Sequence, residues 1–416
     1  MAHARRGVIR EAGGAIGDAG AWVGGADTRS SVSGPVRITM RPAAPTPRRL
    51  WRKMRLRFLR TALAAVAAAL AVTACGGDGD DDGAGGHPIQ RLVAFGDSFS
   101  DVGSYGVGTI ALIGAQTGGA GRWTVNDTRG GQVWVEQLSQ RLDLPPACAA
   151  ETGLQPNSPA LTGAPVTAHP GCTIYAQGGA RVASVLAGSS VAMQRLGEVN
   201  IGYLAKPVQQ QMAAHLAAAG GAYRGDELVV VMAGTNDVVM ELALTAPTNP
   251  TQALQNVADA GAQLGALVRS EVVAKGAQRV LVLNVPNIAG LPYLRDQGEA
   301  IATLGDTMTR AFNQQLAAAL AGVPQVHLAD AYGLTSDMLA RPGHYGLSNV
   351  SDVACGPNAF SPTPSTNGTA LVCNSANLLP GDRSRYLLAD AIHPTPYAHG
   401  LIADFALAQM REAGWR

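Results

Sequence analysis

The sequence predicts an α/β protein: a three-layer α/β/α sandwich around a mainly parallel sheet. Two observations carry that expectation. Short unbroken apolar runs, such as Glu227–Ala233 (ELVVVMA) and Arg279–Val285 (RVLVLNV), alternate with segments of helical periodicity. Strands that are apolar on both faces belong to parallel sheets covered on both sides. The second observation is the polar sequence directly after these runs: Gly96–Asp101, Gly234–Asp237 and the stretch before Pro394. In doubly wound folds, ligands bind beyond the carboxyl ends of the strands.

The elements follow in order. Arg91–Phe95 (RLVAF) is a short strand that ends at Gly96-Asp97. Gln132–Arg141 is an amphipathic helix with Val133, Val135 and Leu138 turned inward. Residues 145–172, rich in Pro, Thr and Ala, form a disulfide-closed loop. Pro207–Ala219 is a helix, Glu227–Ala233 the second strand and Thr251–Lys275 a long helix. Arg279–Val285 is the third strand, stopped by Pro286-Asn287. Leu304–Ala321 is helical, Gln325–Asp330 is the fourth strand and Pro396–Ala413 is a C-terminal helix. No shift of composition interrupts 87–416, so one domain is expected there.

Charge divides the chain. Residues 1–74 carry 13 Lys and Arg against 3 Asp and Glu; residues 75–416 carry 18 against 27. The near-neutral total of +1 therefore describes neither part. An acidic second part argues against nucleic acid as a partner. In the first part, Arg55, Arg57 and Arg60 precede the apolar run Thr61–Ala74. A basic segment before a short apolar run is an export signal, and a bilayer span needs about 20 residues. A signal beginning at Met54 occupies residues 54–74 and leaves 1–53 as an upstream extension from a misplaced start codon, or else as a basic leader. Val72-Thr73-Ala74-Cys75 resembles the bacterial lipobox, which implies a lipid anchor on Cys75 and, with Gly76 next to it, an outer-membrane location. Residues 75–86, Gly- and Asp-rich, form a flexible tether. Their Asp78-x-Asp80-x-Asp82-Gly83 is a solvated spacer, because the twelfth position of a calcium loop would be Ile89.

Four further cysteines remain, an even number for an exported chain. Proximity pairs Cys148 with Cys172 and Cys355 with Cys373. Four cysteines permit three pairings, and no CxxC spacing supports zinc.

Ser98 follows a strand at a turn, where a hydroxyl is presented and a helix N-terminus favours negative charge; a serine there also caps helices routinely. Asp390 and His393 stand three residues apart, with Pro394 next. A histidine that activates a hydroxyl needs an acceptor on its other ring nitrogen. His327 and Asp330 share that spacing, but on a strand they face opposite sides. His344, His399 and His169 read as solvent or loop residues. Asn236 ends the strongest strand and can donate to an oxyanion. Gly178-Gly179 allows close backbone approach and can offer an N–H.

Together, Gly96-Asp97-Ser98-Phe99-Ser100-Asp101, Gly178-Gly179, Gly234-Thr235-Asn236-Asp237 and Asp390-x-x-His393-Pro394 resemble, in order and chemistry, the four blocks of the GDSL/SGNH esterase–lipase superfamily. The stretch Ser384–Thr395, with two Cys upstream, is similar to its bacterial lipase branch. The second block usually begins with Asn, and Ile174 stands there. The GxSxG elbow of α/β-hydrolases is absent.

The resemblance implies a flavodoxin-like hydrolase that cleaves acyl esters through an acyl-enzyme, with no metal and no cofactor. It makes Ser98 the nucleophile, His393 the base and Asp390 its orienter. The Ser98 N–H, the Gly179 N–H (Gly178 being the alternative) and the Asn236 side chain form the oxyanion hole. Other readings are a carbohydrate acetylesterase, a phospholipase or acyltransferase, and a non-catalytic envelope binding module. The insertions at 105–125, 145–172 and 335–385 discriminate poorly among them.

Overall fold

A computed structural model describes residues 88–127, 131–154, 164–184, 205–358 and 370–416. The export signal, Cys75 and the tether lie outside these. In chain order the elements are β1 (Arg91–Gly96), α1 (Gly108–Thr117), α2 (Trp134–Arg141), β2 (Glu151–Leu154), β3 (Ala164–Ala168) and α3 (Val208–Ala219). Then come β4 (Glu227–Met232), α4 (Thr235–Leu244), α5 (Pro250–Leu267), β5 (Arg279–Leu283), α6 (Pro292–Arg295) and α7 (Glu299–Leu320). The chain closes with β6 (Val326–Ala329), α8 (Ala331–Ala340), β7 (Asn349–Val353), β8 (Tyr386–Leu388) and α9 (Pro396–Glu412).

The central sheet runs β1-β4-β5-β6, with every pair parallel. Outside β1, residues 173–177 add a short parallel edge: Ala94 N donates to Thr173 O at 3.1 Å and Tyr175 N to Ala94 O at 2.8 Å. The spatial order is therefore 2-1-3-4-5 in chain order, the flavodoxin-like arrangement, and it reverses direction between β1 and β4.

Side chains alternate across a strand, and here both sets are apolar. Val93, Phe95, Val229, Val231, Val280 and Val282 face one layer, where α5 and α7 supply Val257, Leu264, Phe312 and Leu316. Leu92, Ala94, Leu228, Val230, Leu281 and Leu283 face the other, against Trp134, Val135 and Leu138 of α2 and Ala403, Ala406 and Met410 of α9. This two-sided burial is why the strands read as continuous apolar runs.

Several expectations need amendment. The loop expected at 145–172 contains an antiparallel hairpin, β2–β3, tied to the body by Gly153 N donating to Ser104 O at 3.0 Å. The long helix at 251–275 is α-helical to Leu267, then passes through a π turn (Val268–Val272) and a 3₁₀ turn (Val273–Lys275). Helix α7 begins at Glu299, five residues before the expected start. Residues 235–244 form a helix where only a polar strand end was expected. The insertions carry α1, the second half of α8 and β7, which pairs in parallel with β8 just beyond them. These elements are short and several carry glycine, so their periodicity is weak. The cysteines pair as Cys148–Cys172 and Cys355–Cys373; such bonds persist in exported proteins. Among the described residues, no helix is long and apolar enough to cross a membrane.

Candidate active site

The site lies at the carboxyl ends of β1 and β4, where the strand order reverses. Gly96 closes β1 because no side chain fits: a Cβ there would stand 2.1 Å from the Met232 carbonyl oxygen. Buried Gln211 of α3 holds both polar groups of Gly96, accepting from its N and donating to its O, each at 2.9 Å. Asp97 then makes a tight turn, its Oδ1 accepting from Phe99 N at 3.1 Å and its O from Ser100 N at 3.1 Å. Ser98 emerges from this turn only 5% exposed.

Ser98 Oγ lies 2.9 Å from His393 Nε2, although 295 residues separate the two in the chain. On the other side of the ring, Nδ1 is 2.9 Å from both Asp390 oxygens. A carboxylate only accepts, so Nδ1 carries the proton and Nε2 is left to accept from the serine hydroxyl. Asp390 also accepts from Ile392 N (3.0 Å), His393 N (2.8 Å) and, through Oδ2, Ala370 N (2.8 Å). Burial alone would raise its carboxyl; the neighbouring imidazole and these N–H donors outweigh burial and hold it below the usual carboxylate range.

A second carboxylate organises the glycine turn. Asp101 accepts from Gly103 N, Ser104 N and Ser104 Oγ, and its Oδ2 accepts from Gly178 N at 2.9 Å. The Gly178 N–H is therefore occupied by Asp101. Gly179 adopts φ +81°, a left-handed conformation suited to glycine, and no hydrogen bond holds its N–H among the described residues.

Asn236 sits in the first turn of α4, half-buried, and spends one side-chain N–H on Ala180 O at 3.1 Å. The glycine turn and α4 are further clasped by Arg181, which reaches Asp237 at 3.2 Å and Glu241 at 2.7 Å, and by Val182 N donating to Asp237 Oδ2 at 3.0 Å.

The model of the family described as GDSL-like Lipase/Acylhydrolase matches residues 92–406. This chain belongs to the GDSL-like lipase/acylhydrolase family. Among its relatives are two GDSL esterase/lipases of Arabidopsis thaliana. At2g40250 is 27% identical over 202 residues, covering 44% of this chain and 52% of that protein. At2g30310 is 26% identical over 205 residues, covering 45% and 53%. The chain thus spans about half the length of these curated relatives. A solved structure, the alpha/beta hydrolase enzyme LAE5 from the metagenome of Lake Arreo, Spain, aligns with TM-score 0.34 and 14% identity over 79% of this chain and 96% of that one; the likeness is too loose to build on.

The GDSL-like site also contains residues that spacing did not reveal. Trp123 packs its ring 4.8 Å from the His393 ring, tilted by 36°. Arg181 and Asp101 hold the glycine turn. None of the three stands in a periodic or paired pattern that marks it in the sequence, although Asp101 closes the first block. His399 is not a solvent or loop residue: it is fully buried, its Nδ1 accepting from Trp134 N at 3.3 Å, and burial lowers its pKa to about 3. His327 meets Gln409, while Asp330 caps α8, so that pair is not a dyad.

Proposed function

We propose that this GDSL-like protein is a serine carboxylic ester hydrolase acting on short- to medium-chain acyl esters. The supporting observation is the unbroken line from Ser98 Oγ through the His393 ring to Asp390, each link 2.9 Å. Ser98 Oγ attacks the ester carbonyl while its proton passes to His393 Nε2. Asp390 steadies the imidazolium. The Ser98 N–H, the Gly179 N–H and the second Asn236 side-chain N–H face the developing oxyanion. The C–O bond to the alcohol then breaks, and the alkoxide takes the proton from Nε2. Water repeats the sequence on the acyl-enzyme and releases the acid and free Ser98.

An apolar cavity favours acyl esters over acetylated glycans. Phe99, Met232, Leu291, Leu334, Ile392 and Pro394 are among its lining residues. It adjoins the nucleophile through Phe99 and the base through Ile392 and Pro394. Export through residues 54–74, attachment through Cys75 and the tether 75–86, and a hydrolase domain over 87–416 complete the proposal. Radiolabelled palmitate should be incorporated into the wild type and not into Cys75→Ser.

The decisive test is turnover of p-nitrophenyl butyrate by Ser98→Ala and His393→Ala. Each should lose about 10³-fold or more in kcat, with the thermal midpoint kept. Near-full turnover by either variant sinks the reading. A non-catalytic binding module would also leave Ser98 unlabelled by a fluorophosphonate.

A further inference from the structure

Trp123 stands on a segment fixed at several points. Gly121 N donates to Leu371 O at 2.7 Å, and Arg122 pairs with Glu136 through Nε and a terminal nitrogen at 2.9 and 2.7 Å. Thr124 Oγ1 donates to Pro394 O at 2.9 Å, which joins the segment directly to the residue after His393. The indole is therefore held in place. Its ring covers His393, and it meets Tyr105 edge-on at 6.3 Å and 87°. The nitrogen side of the indole lies on Gly178: a Cβ at that glycine would stand 2.2 Å from Nε1.

That Nε1–H is buried and has no acceptor among the described residues. Buried indole donors are normally paired, and the neighbouring donors are. Tyr105 OH has taken the Gly178 carbonyl at 2.6 Å, and the other nearby indole, Trp134 Nε1, donates to Ser100 Oγ at 3.0 Å. This unspent donor thus lies between the His393 ring and Gly178 of the glycine turn.

We propose that the Trp123 Nε1–H is a specificity donor for the alcohol half of the substrate. This rests on the ester-hydrolase reading above. His393 Nε2 must return a proton to the leaving alcohol, so that half of the ester lies against the His393 ring and the wall that Trp123 forms. An alcohol carrying an ether or hydroxyl oxygen two carbons from the ester oxygen, as in glycerol or sugar esters, supplies the missing acceptor. A plain alkyl alcohol leaves the donor unpaired.

The test uses an isosteric pair, 2-methoxyethyl butyrate and n-butyl butyrate, which differ by an oxygen in place of a methylene. In Trp123→Phe, which keeps a ring and loses the N–H, the ratio of their kcat/KM values should fall about five- to tenfold relative to wild type. Comparing ratios cancels the esters' intrinsic reactivity. A variant that slows both esters alike, or leaves the ratio unchanged, overturns the proposal. Thermal melting and fluorophosphonate labelling report whether the variant folds. If it does not, 3-benzothienylalanine at position 123 retains the bicyclic shape and removes the N–H, with the same expected ratio. Ser98→Ala on p-nitrophenyl butyrate separates the two ideas. If Ser98 is dispensable, the ester-hydrolase reading fails. If Ser98 is essential and the ratio does not move, only the Trp123 assignment fails.

Discussion

Asp390 shows how much one side chain carries. It accepts hydrogen bonds from the imidazole Nδ1–H and from three backbone N–H groups, so it fixes the loop and the tautomer together. Asp390→Asn can keep some of the backbone bonds, but its amide invites the wrong ring nitrogen to carry the proton. We expect kcat to fall about 10³- to 10⁴-fold with the melting temperature lowered only modestly, measured on p-nitrophenyl butyrate. The aspartate–histidine spacing was readable because i and i+3 fall on one turn. Which of the Gly178 and Gly179 N–H groups is already bonded was not readable. It depends on Asp101 Oδ2, which occupies the Gly178 N–H from 77 residues away.

At the scale of elements, the two outer parts of the proposed oxyanion hole come from different pieces of chain. The glycine turn and helix α4 are joined through Arg181, whose guanidinium bridges Asp237 and Glu241. Burial pushes the Asp237 carboxyl up to about 6, against the pull of Arg181. Removing Arg181 leaves two buried carboxylates without their cation. Arg181→Met should lower kcat about 10- to 100-fold while KM changes little, because the turn loosens and the ester-binding walls stay; a change confined to KM would refute the positioning role. The Cys355–Cys373 bond is tied similarly to the Asp390–His393 loop. Cys355 N donates to Ala389 O at 2.9 Å, and Ala370, three residues before Cys373, donates to Asp390. Replacing both cysteines with alanine should cost about 2–4 kcal/mol of stability, read by urea unfolding, and should lower kcat as well.

Across the whole molecule, buried titratable groups set the pH response. His215 is packed among Phe95, Tyr175 and Tyr223. Burial, with help from Arg91 and Arg224, lowers its pKa to about 4. Between that value and the ordinary 6.5 the unfolded chain binds the proton and the folded chain does not, so stability is complete above pH 6.5 and declines as pH falls toward 4. The full effect is on the order of 3 kcal/mol. Asp97 works in the opposite sense. Burial raises its pKa to about 7, so it costs increasing stability as pH rises from about 4 to 7. The two trends oppose each other in the wild type. His215→Phe removes one of them: its melting temperature relative to wild type should be higher at pH 4.5 than at pH 7.5. A difference that does not vary with pH would exclude His215 as the cause.

The amino-acid order was sufficient for what depends on neighbours along the chain. Alternation and apolar runs marked strands β1, β4, β5 and β6 and most helices of both layers, because a parallel strand buried on both faces leaves few polar positions. Local spacing marked the Ser98 turn and the Asp390–His393 turn. What folding decided is everything that needs two distant segments at one place. It brought Ser98 to His393 across 295 residues, gave the Gly178 N–H to Asp101 and left that of Gly179 without a partner among the described residues, laid Trp123 on the His393 ring, and buried His399. Hydrogen bonds and ring contacts form over a few ångströms of space, whatever the separation along the chain, so periodicity in one dimension carries no trace of them.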